Sequence, residues 1–207
     1  VCSSDLSDCS LKELYKARAE QLRATYDYLI LSYSGGSDSW TALNSFITNN
    51  IKIDEIVVNW PVKATQGPDA IYKYTPNSDD ISANNYLSEW DLFLRDDLEN
   101  LKQQLPDTKF TIVDWSELLL SDPPNVEEAL PKPMFIDLIQ MRIVGVKTDT
   151  EKEMLAQNKK VAYIYGSDKL FYKIIDNILY INFNDVSVRH NVSADTYGTS
   201  IEYFFMT

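Results

Sequence analysis

The fold is decided by residues 28–39, YLILSYSGGSDS, in which a short apolar run passes directly into a loop of glycine and serine. The run Tyr28–Tyr33 is continuous in apolar character, as a strand buried on both faces of a parallel sheet should be. Between Trp40 and Ile47, apolar residues recur every three to four positions, which predicts a helix. The stretch therefore predicts a strand, a tight loop and a helix in that order.

The same alternation of strand and helix extends over the rest of the chain. A capping box at Ser10 and Glu13 opens a predicted helix over residues 11–25. Further strands are predicted at 56–60, 110–113 and 161–165, helices at 87–105, 135–144 and 151–157, a hairpin over 171–183, and a strand-like stretch at 201–205. This order predicts an α/β fold: a Rossmann-like three-layer sandwich with a mostly parallel sheet, plus a C-terminal β-hairpin.

The length of 207 residues suits one domain, which we place over residues 10–207. Residues 1–9 are expected to be a leader outside that domain, either non-native or disordered. No apolar run approaches the roughly 18–20 residues that a membrane span needs. We therefore expect a protein with no membrane partner.

Charge and cysteine content narrow the function classes further. The formal net charge is −12, so broad electrostatic capture of nucleic acid is disfavoured and a small-molecule ligand is favoured. The two cysteines, Cys2 and Cys9, both precede the predicted fold, so it contains neither a disulfide framework nor a cysteine zinc site. These features favour a reducing, cytoplasmic compartment.

The loop of residues 34–39, here named the SGGSDS loop, has the composition of a phosphate site. In an open parallel sheet, ligands bind beyond the carboxyl ends of the strands. Gly35 and Gly36 can take positive φ and let the backbone approach an anion closely. Ser34, Ser37 and Ser39 add hydroxyl groups beside the first amides of the following helix. The alternative is a plain strand-to-helix turn, in which glycine, serine and aspartate are the commonest residues.

Asp38 requires a separate explanation because a carboxylate repels phosphate. It could hold a Mg²⁺ ion that bridges the phosphates, or it could orient a lysine. An acidic residue in the first turn also stabilises a helix, so a purely structural role is open as well. The sequence thus offers Asp38 as a metal ligand and catalytic residue.

The six residues of the SGGSDS loop resemble the Ser-Gly-Gly-x-Asp-Ser signature of the PP-loop superfamily, the adenine nucleotide alpha-hydrolase-like proteins. That superfamily includes ATP pyrophosphatases and PAPS (phosphoadenosine phosphosulfate) reductases. The spacing of the other elements resembles the PAPS reductase-like branch, which includes phage proteins. The likeness covers most of residues 10–185, but only the loop is a specific motif.

The resemblance implies further site residues. The backbone at the end of the second strand would contact adenine. In this chain the residues at that position are Asn59 and Trp60. The turn after the fourth strand would line the same site with Gly166 and Ser167. Lys169 would neutralise phosphate as a second catalytic residue, although it could equally be an exposed lysine in a turn.

The resemblance also implies a nucleotide cofactor, ATP or PAPS, with Mg²⁺ accompanying ATP. PAPS reductases use a late cysteine, and this chain has none after Cys9. We therefore expect cleavage or transfer at the nucleotide α-phosphate without a thiol nucleophile, on a second substrate that the sequence does not name. Two alternatives remain open: a non-catalytic nucleotide-binding regulatory module, and a sulfonucleotide reductase whose cysteine motif lies outside this chain.

Overall fold

The computed structural model describes residues 10–66, 68, 70, 90–121, 148–167, 171–176, 178–182 and 198–205. The helices are α1 (Leu11–Thr25), α2 (Ser37–Thr48), α3 (Val62–Thr65), α4 (Arg95–Gln104), α5 (Ser116–Ser121) and α6 (Asp149–Ala156), and a π-helical turn (Trp90–Leu94) leads into α4. The strands are β1 (Tyr28–Ser32), β2 (Glu55–Asn59), β3 (Lys109–Val113), β4 (Val161–Ser167), β5 (Phe171–Ile175), β6 (Ile178–Asn182) and β7 (Ser200–Phe205).

Five strands form one parallel sheet in the order β3-β2-β1-β4-β7, flanked by helices. The chain therefore runs outward from β1 through β2 to β3 and then returns to place β4 on the other side of β1. Strands β5 and β6 form a separate antiparallel hairpin, in which Asp176 has a φ of 51° in the turn. The predicted α/β sandwich with an added hairpin is confirmed.

The chain forms two compact units, Val1–Ile56 with Asp149–Thr207, and Val57–Thr148. The first contains β1, β4 and β7, helices α1, α2 and α6, and the hairpin; the second contains α3, α4, α5 and β3. The predicted single domain over residues 10–207 stays a prediction.

Among the described residues, no helix is both long enough and apolar enough to cross a membrane.

Helix α1 begins at the predicted capping box. The Glu13 amide donates to the Ser10 hydroxyl at 3.3 Å, and the Ser10 amide donates back to the Glu13 carboxylate at 2.8 Å. The Ser10 hydroxyl also donates to this carboxylate at 2.8 Å, and the bonds from the Ser10 amide and hydroxyl lower the pKa of Glu13, since they favour its charged form. The helix has the predicted bounds, and it packs against α2.

One face of the first unit's sheet is covered by α1 and α2. In the β4–β7 register Gly166 lies beside Phe204, so both positions face the same side of the sheet. Phe204 is fully buried, and its ring centroid lies 5.7 Å from that of Tyr15 in α1 and 6.0 Å from that of Phe46 in α2. This aromatic cluster fixes the two helices over the end of β4.

Helix α6 covers the opposite face. Tyr165 and Tyr203 are register partners one residue away from Gly166 and Phe204, so they face the other way. The buried Glu151 of α6 accepts a hydrogen bond from the Thr199 hydroxyl at 2.6 Å. Burial, followed by the charges of Tyr203 and Glu151, raises the pKa of Tyr165. In the first unit, helices thus cover both faces of the strands: α1 and α2 one face, and α6 the other.

The element bounds depart from prediction in a few places. Strand β4 continues through Gly166 to Ser167, beyond the predicted end at residue 165. The helix predicted over 87–105 opens with a π-helical turn at Trp90, and its buried residues are apolar and recur at helical spacing (Trp90, Leu94, Leu98 and Leu101). Residues 1–9, 87–89, 135–144 and 183 lie outside the described part of the chain.

Replacing Phe204 with alanine should lower the free energy of unfolding by about 3–5 kcal/mol, because it removes a fully buried ring from the cluster between β7 and the two helices. The matched control is Ile174→Ala in the hairpin, where the side chain is 73% exposed and the expected change is within about 0.5 kcal/mol. Urea denaturation measures both. Equal losses in the two variants would contradict this assignment of the core.

Candidate functional site

The SGGSDS loop joins the end of β1 to the start of α2. Gly35 has a φ of 76°, in the left-handed region that favours glycine. Gly36 has a φ of −72° and a ψ of 163°, which any residue can adopt, and it is the N-cap of α2. Of the two glycines predicted to use positive φ, only Gly35 does so.

Gly36 is therefore not required by the backbone. A Cβ atom built on it would lie 3.4 Å from the Ser34 hydroxyl oxygen, which is ordinary van der Waals contact. Serine, threonine, asparagine or aspartate at an N-cap would accept a hydrogen bond from the first-turn amides, and Gly36 makes no such bond. Glycine at this position supplies no side-chain acceptor to the first-turn amides of this twelve-residue helix.

The hydroxyls of Ser34 and Ser39 hold the shape of the loop. Ser39 donates to the Gly36 carbonyl at 3.0 Å and accepts from the Ser34 amide at 3.3 Å. The two hydroxyl oxygens lie 3.2 Å apart, and the Ser34 hydroxyl accepts from the Gly36 amide at 3.4 Å. Ser39 is buried. Both side chains were predicted to donate to an anion; in the structure they bond within the loop.

Ser37 and Asp38 occupy the first turn of α2. Ser37 is exposed, and its hydroxyl donates to the Asp38 carboxylate at 3.2 Å, while Asp38 is half-buried. In the described part of the chain, no group of three or more acidic, histidine or cysteine side chains could hold a metal ion. The assignment of a metal to Asp38 stays a prediction.

Gly166 lies against the same turn of α2. A Cβ atom on Gly166 would come within 2.4 Å of the Asp38 carbonyl carbon, 2.5 Å of the Asp38 carbonyl oxygen and 2.6 Å of the Ser39 amide nitrogen. These are backbone atoms, which cannot rotate aside as a side chain can. Gly166 was predicted as a residue that lines the ligand site. The structure places it beside the SGGSDS loop as the contact that lets α2 begin this close to β4.

Trp60 was predicted to meet adenine, and its polar groups are engaged within the second unit. Its amide donates to the Val113 carbonyl at 3.0 Å, its carbonyl accepts from the Val62 amide at 2.9 Å, and its indole donates to Thr65 at 2.9 Å. The ring is 6% exposed and stacks on Trp90 at 5.7 Å. These bonds explain Trp60 as a core residue, and an adenine contact remains a prediction.

The other predicted site residues are Asn59, Ser167 and Lys169. Asn59 is the last residue of β2 and is half-buried. Ser167 is the last residue of β4 and pairs with Phe205 of β7. Lys169 lies outside the described residues. Their roles therefore stay predictions.

The sequence analysis missed a polar network around Asp114, which directly follows β3. The Asp114 carboxylate accepts from the amide of Ser116 at 2.9 Å and from its hydroxyl. The Ser116 hydroxyl in turn accepts from the Ala64 amide of α3 at 3.0 Å. The available signal was an aspartate at a strand end with serine two residues later, a pattern typical of a side-chain-bonded turn.

Replacing Asp114 with asparagine should lower stability at neutral pH. Desolvation raises the pKa of Asp114, but bonds from Ser116 and from the amides of Lys63 and Val62 outweigh it, so the pKa lies below its usual value. A depressed pKa stabilises the fold above the unfolded value of about 3.9, and this contribution is lost as the pH falls through the folded value. The loss at pH 7 should stay under about 1 kcal/mol, since the carboxylate is exposed to solvent.

The measurement for Asp114 is the unfolding free energy of wild type and Asp114→Asn at a series of pH values. The gap between the two proteins should close as the pH falls below 4. Asp96→Asn is the control, since Asp96 is an exposed acidic residue of α4 with a salt bridge to Arg95. A gap for Asp114→Asn that persists unchanged at low pH contradicts the role of its charge.

The three glycines of the loop region should respond differently to alanine. Gly166→Ala should cost about 1–3 kcal/mol because backbone atoms must shift. Gly35→Ala should cost about 1–2 kcal/mol because it forces a side chain into the left-handed region. Gly36→Ala should change stability by less than about 1 kcal/mol, since φ and space both permit it. Chemical denaturation gives all three values, and a loss at Gly36 as large as that at Gly166 is the contradictory result.

No model of a known protein family matches the chain, and no curated protein matches it either. The likeness of the SGGSDS loop to the PP-loop signature is therefore a resemblance carried by the residues 34–39 themselves.

Proposed function

We propose that this chain binds the phosphates of an adenine nucleotide, ATP or PAPS, at the SGGSDS loop and catalyses cleavage or transfer at the nucleotide α-phosphate. The observation that carries the proposal is Gly36. Its backbone conformation permits any residue, and the loop has room for a Cβ atom there. Glycine at an unconstrained N-cap is explained if a ligand must come close to the backbone.

The position of the loop supports the same reading. Strands β1 and β4 are neighbours in the sheet. After β1 the chain continues to β2 on one side of this pair, and β7, which follows β4 and the hairpin, lies on the other side. Sheets of this kind bind ligands beyond the carboxyl ends of the strands, where the strand order reverses. The SGGSDS loop follows the carboxyl end of β1, and Gly166 near the end of β4 contacts it. A ligand bound at this reversal would contact the first turn of α2.

The charges of the site favour phosphate only together with a cation. The dipole of α2 and its first amides attract an anion, but the Asp38 carboxylate in the same turn repels one. Mg²⁺ resolves this conflict, because one carboxylate with phosphate oxygens and water makes an ordinary Mg²⁺ site. We therefore assign Asp38 to the metal that accompanies ATP. Lys169 is proposed as a further cation near phosphate.

The proposed chemistry needs no thiol, in keeping with the lack of cysteine after Cys9. In adenylyl transfer, an oxygen of the second substrate forms a bond to the α-phosphorus of ATP. The bond from that phosphorus to the bridging oxygen breaks, and pyrophosphate leaves with the electron pair. The amides at the start of α2 would stabilise the negative charge of the departing phosphates.

Wild-type protein should bind Mg²⁺-ATP or PAPS with saturation in isothermal titration calorimetry. Gly36→Ala should weaken this binding at least tenfold, which is about 1.4 kcal/mol, because its methyl group stands between phosphate and the helix amides. Lys12→Ala, on the exposed side of α1, is the control and should bind like wild type. Titration with Mg²⁺-pyrophosphate then separates phosphate binding from adenine recognition.

Two results would overturn the proposal: no binding of any of these ligands by the folded protein, or equal binding by wild type and Gly36→Ala. Turnover is tested separately, by following AMP and pyrophosphate released from ATP in the presence of candidate acceptors. Binding without either product would identify the chain as a nucleotide-binding module without catalysis.

A further inference from the structure

The second unit contains two buried N–H groups with no hydrogen-bond partner among the described residues. They are the indole nitrogen of Trp115 and the side-chain amide nitrogen of Gln66. The Trp115 side chain is 9% exposed, and each of the two nitrogens is fully shielded from solvent. Both are therefore buried donors for which the described segments supply no acceptor.

Such donors are uncommon in a folded protein. Most buried polar groups are hydrogen-bonded, because leaving one unsatisfied costs about 1–3 kcal/mol. The indole of tryptophan is a donor only, so no rotation or tautomer can satisfy Trp115 in another way. The same unit shows the usual arrangement at Trp60, whose indole donates to Thr65 at 2.9 Å. In the described part of the chain, Trp115 is thus a buried donor without the acceptor that Trp60 has.

Trp115 and Gln66 adjoin the same short helix. Gln66 directly follows α3, and its backbone amide donates to the Val62 carbonyl at 2.9 Å. Trp115 lies between Asp114 and Ser116, and Ser116 accepts from the Ala64 amide of α3 at 3.0 Å. Helix α3 has four residues and is thus only about 6 Å long. The segments that hold the two donors follow β2 and β3 at their carboxyl ends, where parallel sheets bind ligands.

We propose that the Trp115 indole and the Gln66 side-chain amide bind the carbonyl oxygen of an uncharged, amide-like group of a ligand. The charges nearby disfavour an anion. Asp114 is held in its charged form by the donors around it, and Glu117 is paired with Lys63 at 3.7 Å. These three side chains sum to one negative charge, and the two donors carry none. A neutral acceptor satisfies the donors without adding a second negative charge.

Neither donor belongs to the SGGSDS loop, and the inference does not depend on nucleotide binding. Its direct test uses the indole N–H signals of the protein in ¹⁵N–¹H NMR, with N-methylacetamide as the neutral probe and acetate as the charged one. Trp115→Phe assigns the Trp115 signal by its disappearance. N-methylacetamide should move that signal downfield with saturation. The signals of Trp40, which is 40% exposed, and of Trp60, which is already bonded, should only drift linearly.

Binding of the probe to variants gives the second readout. Gln66→Met keeps the size of the side chain and removes its donor, so the probe should bind about tenfold more weakly, the effect of losing one hydrogen bond. The Trp115 signal of this variant remains observable, so the comparison does not depend on replacing the tryptophan.

Thermal stability without any probe gives a third readout. Trp115→Phe and Trp60→Phe remove the same volume, but only the second breaks a hydrogen bond. The melting temperature should therefore fall less for Trp115→Phe than for Trp60→Phe. An equal or larger fall for Trp115→Phe overturns the proposal, because the indole would then have a partner in the protein. A Trp115 signal that neither probe moves, or that acetate moves at lower concentration than N-methylacetamide, also overturns it.

Discussion

The close approach of β4 to the first turn of α2 is the constraint on which the candidate site depends. At Gly166, a single added carbon would lie 2.4 Å from the backbone of Asp38. No side chain can be accommodated there without moving the start of α2. The contact sets how far the helix N-terminus stands from the sheet, and so where its first amides lie. The hydrogen bonds of Ser34 and Ser39 then fix the loop that leads into those amides.

Much of this architecture could be predicted from local sequence because its causes are local. The capping box at Ser10 and Glu13 decides where α1 begins, and both of its bonds are formed. The apolar run at residues 28–33 gives β1, which is buried as a central parallel strand. A hairpin was predicted over residues 171–183, and strands β5 and β6 pair there as an antiparallel hairpin. In each case neighbouring residues carry the whole signal.

The parts that could not be predicted depend on residues far apart in the chain. In the sequence, Gly166 is only a residue near the end of a strand. The lack of a side chain is explained by the packing of β4 against the backbone at the start of α2. Trp60 ends a strand, which suggested a ligand contact, but its indole is bonded to Thr65 and its ring is stacked on Trp90. The strand order, with β4 on the opposite side of β1 from β2, follows from long-range pairing that no local pattern encodes.

The central claim is that the amides at the start of α2 bind phosphate, and backbone amide NMR tests it most directly. On titration with Mg²⁺-pyrophosphate, the amide signals of Gly36, Ser37 and Asp38 should shift with saturation, and those at the C-terminal end of the same helix, near Thr48, should not. Signals of the first turn that stay in place while the folded protein is saturated with the anion, or shifts confined to other segments, would contradict the account.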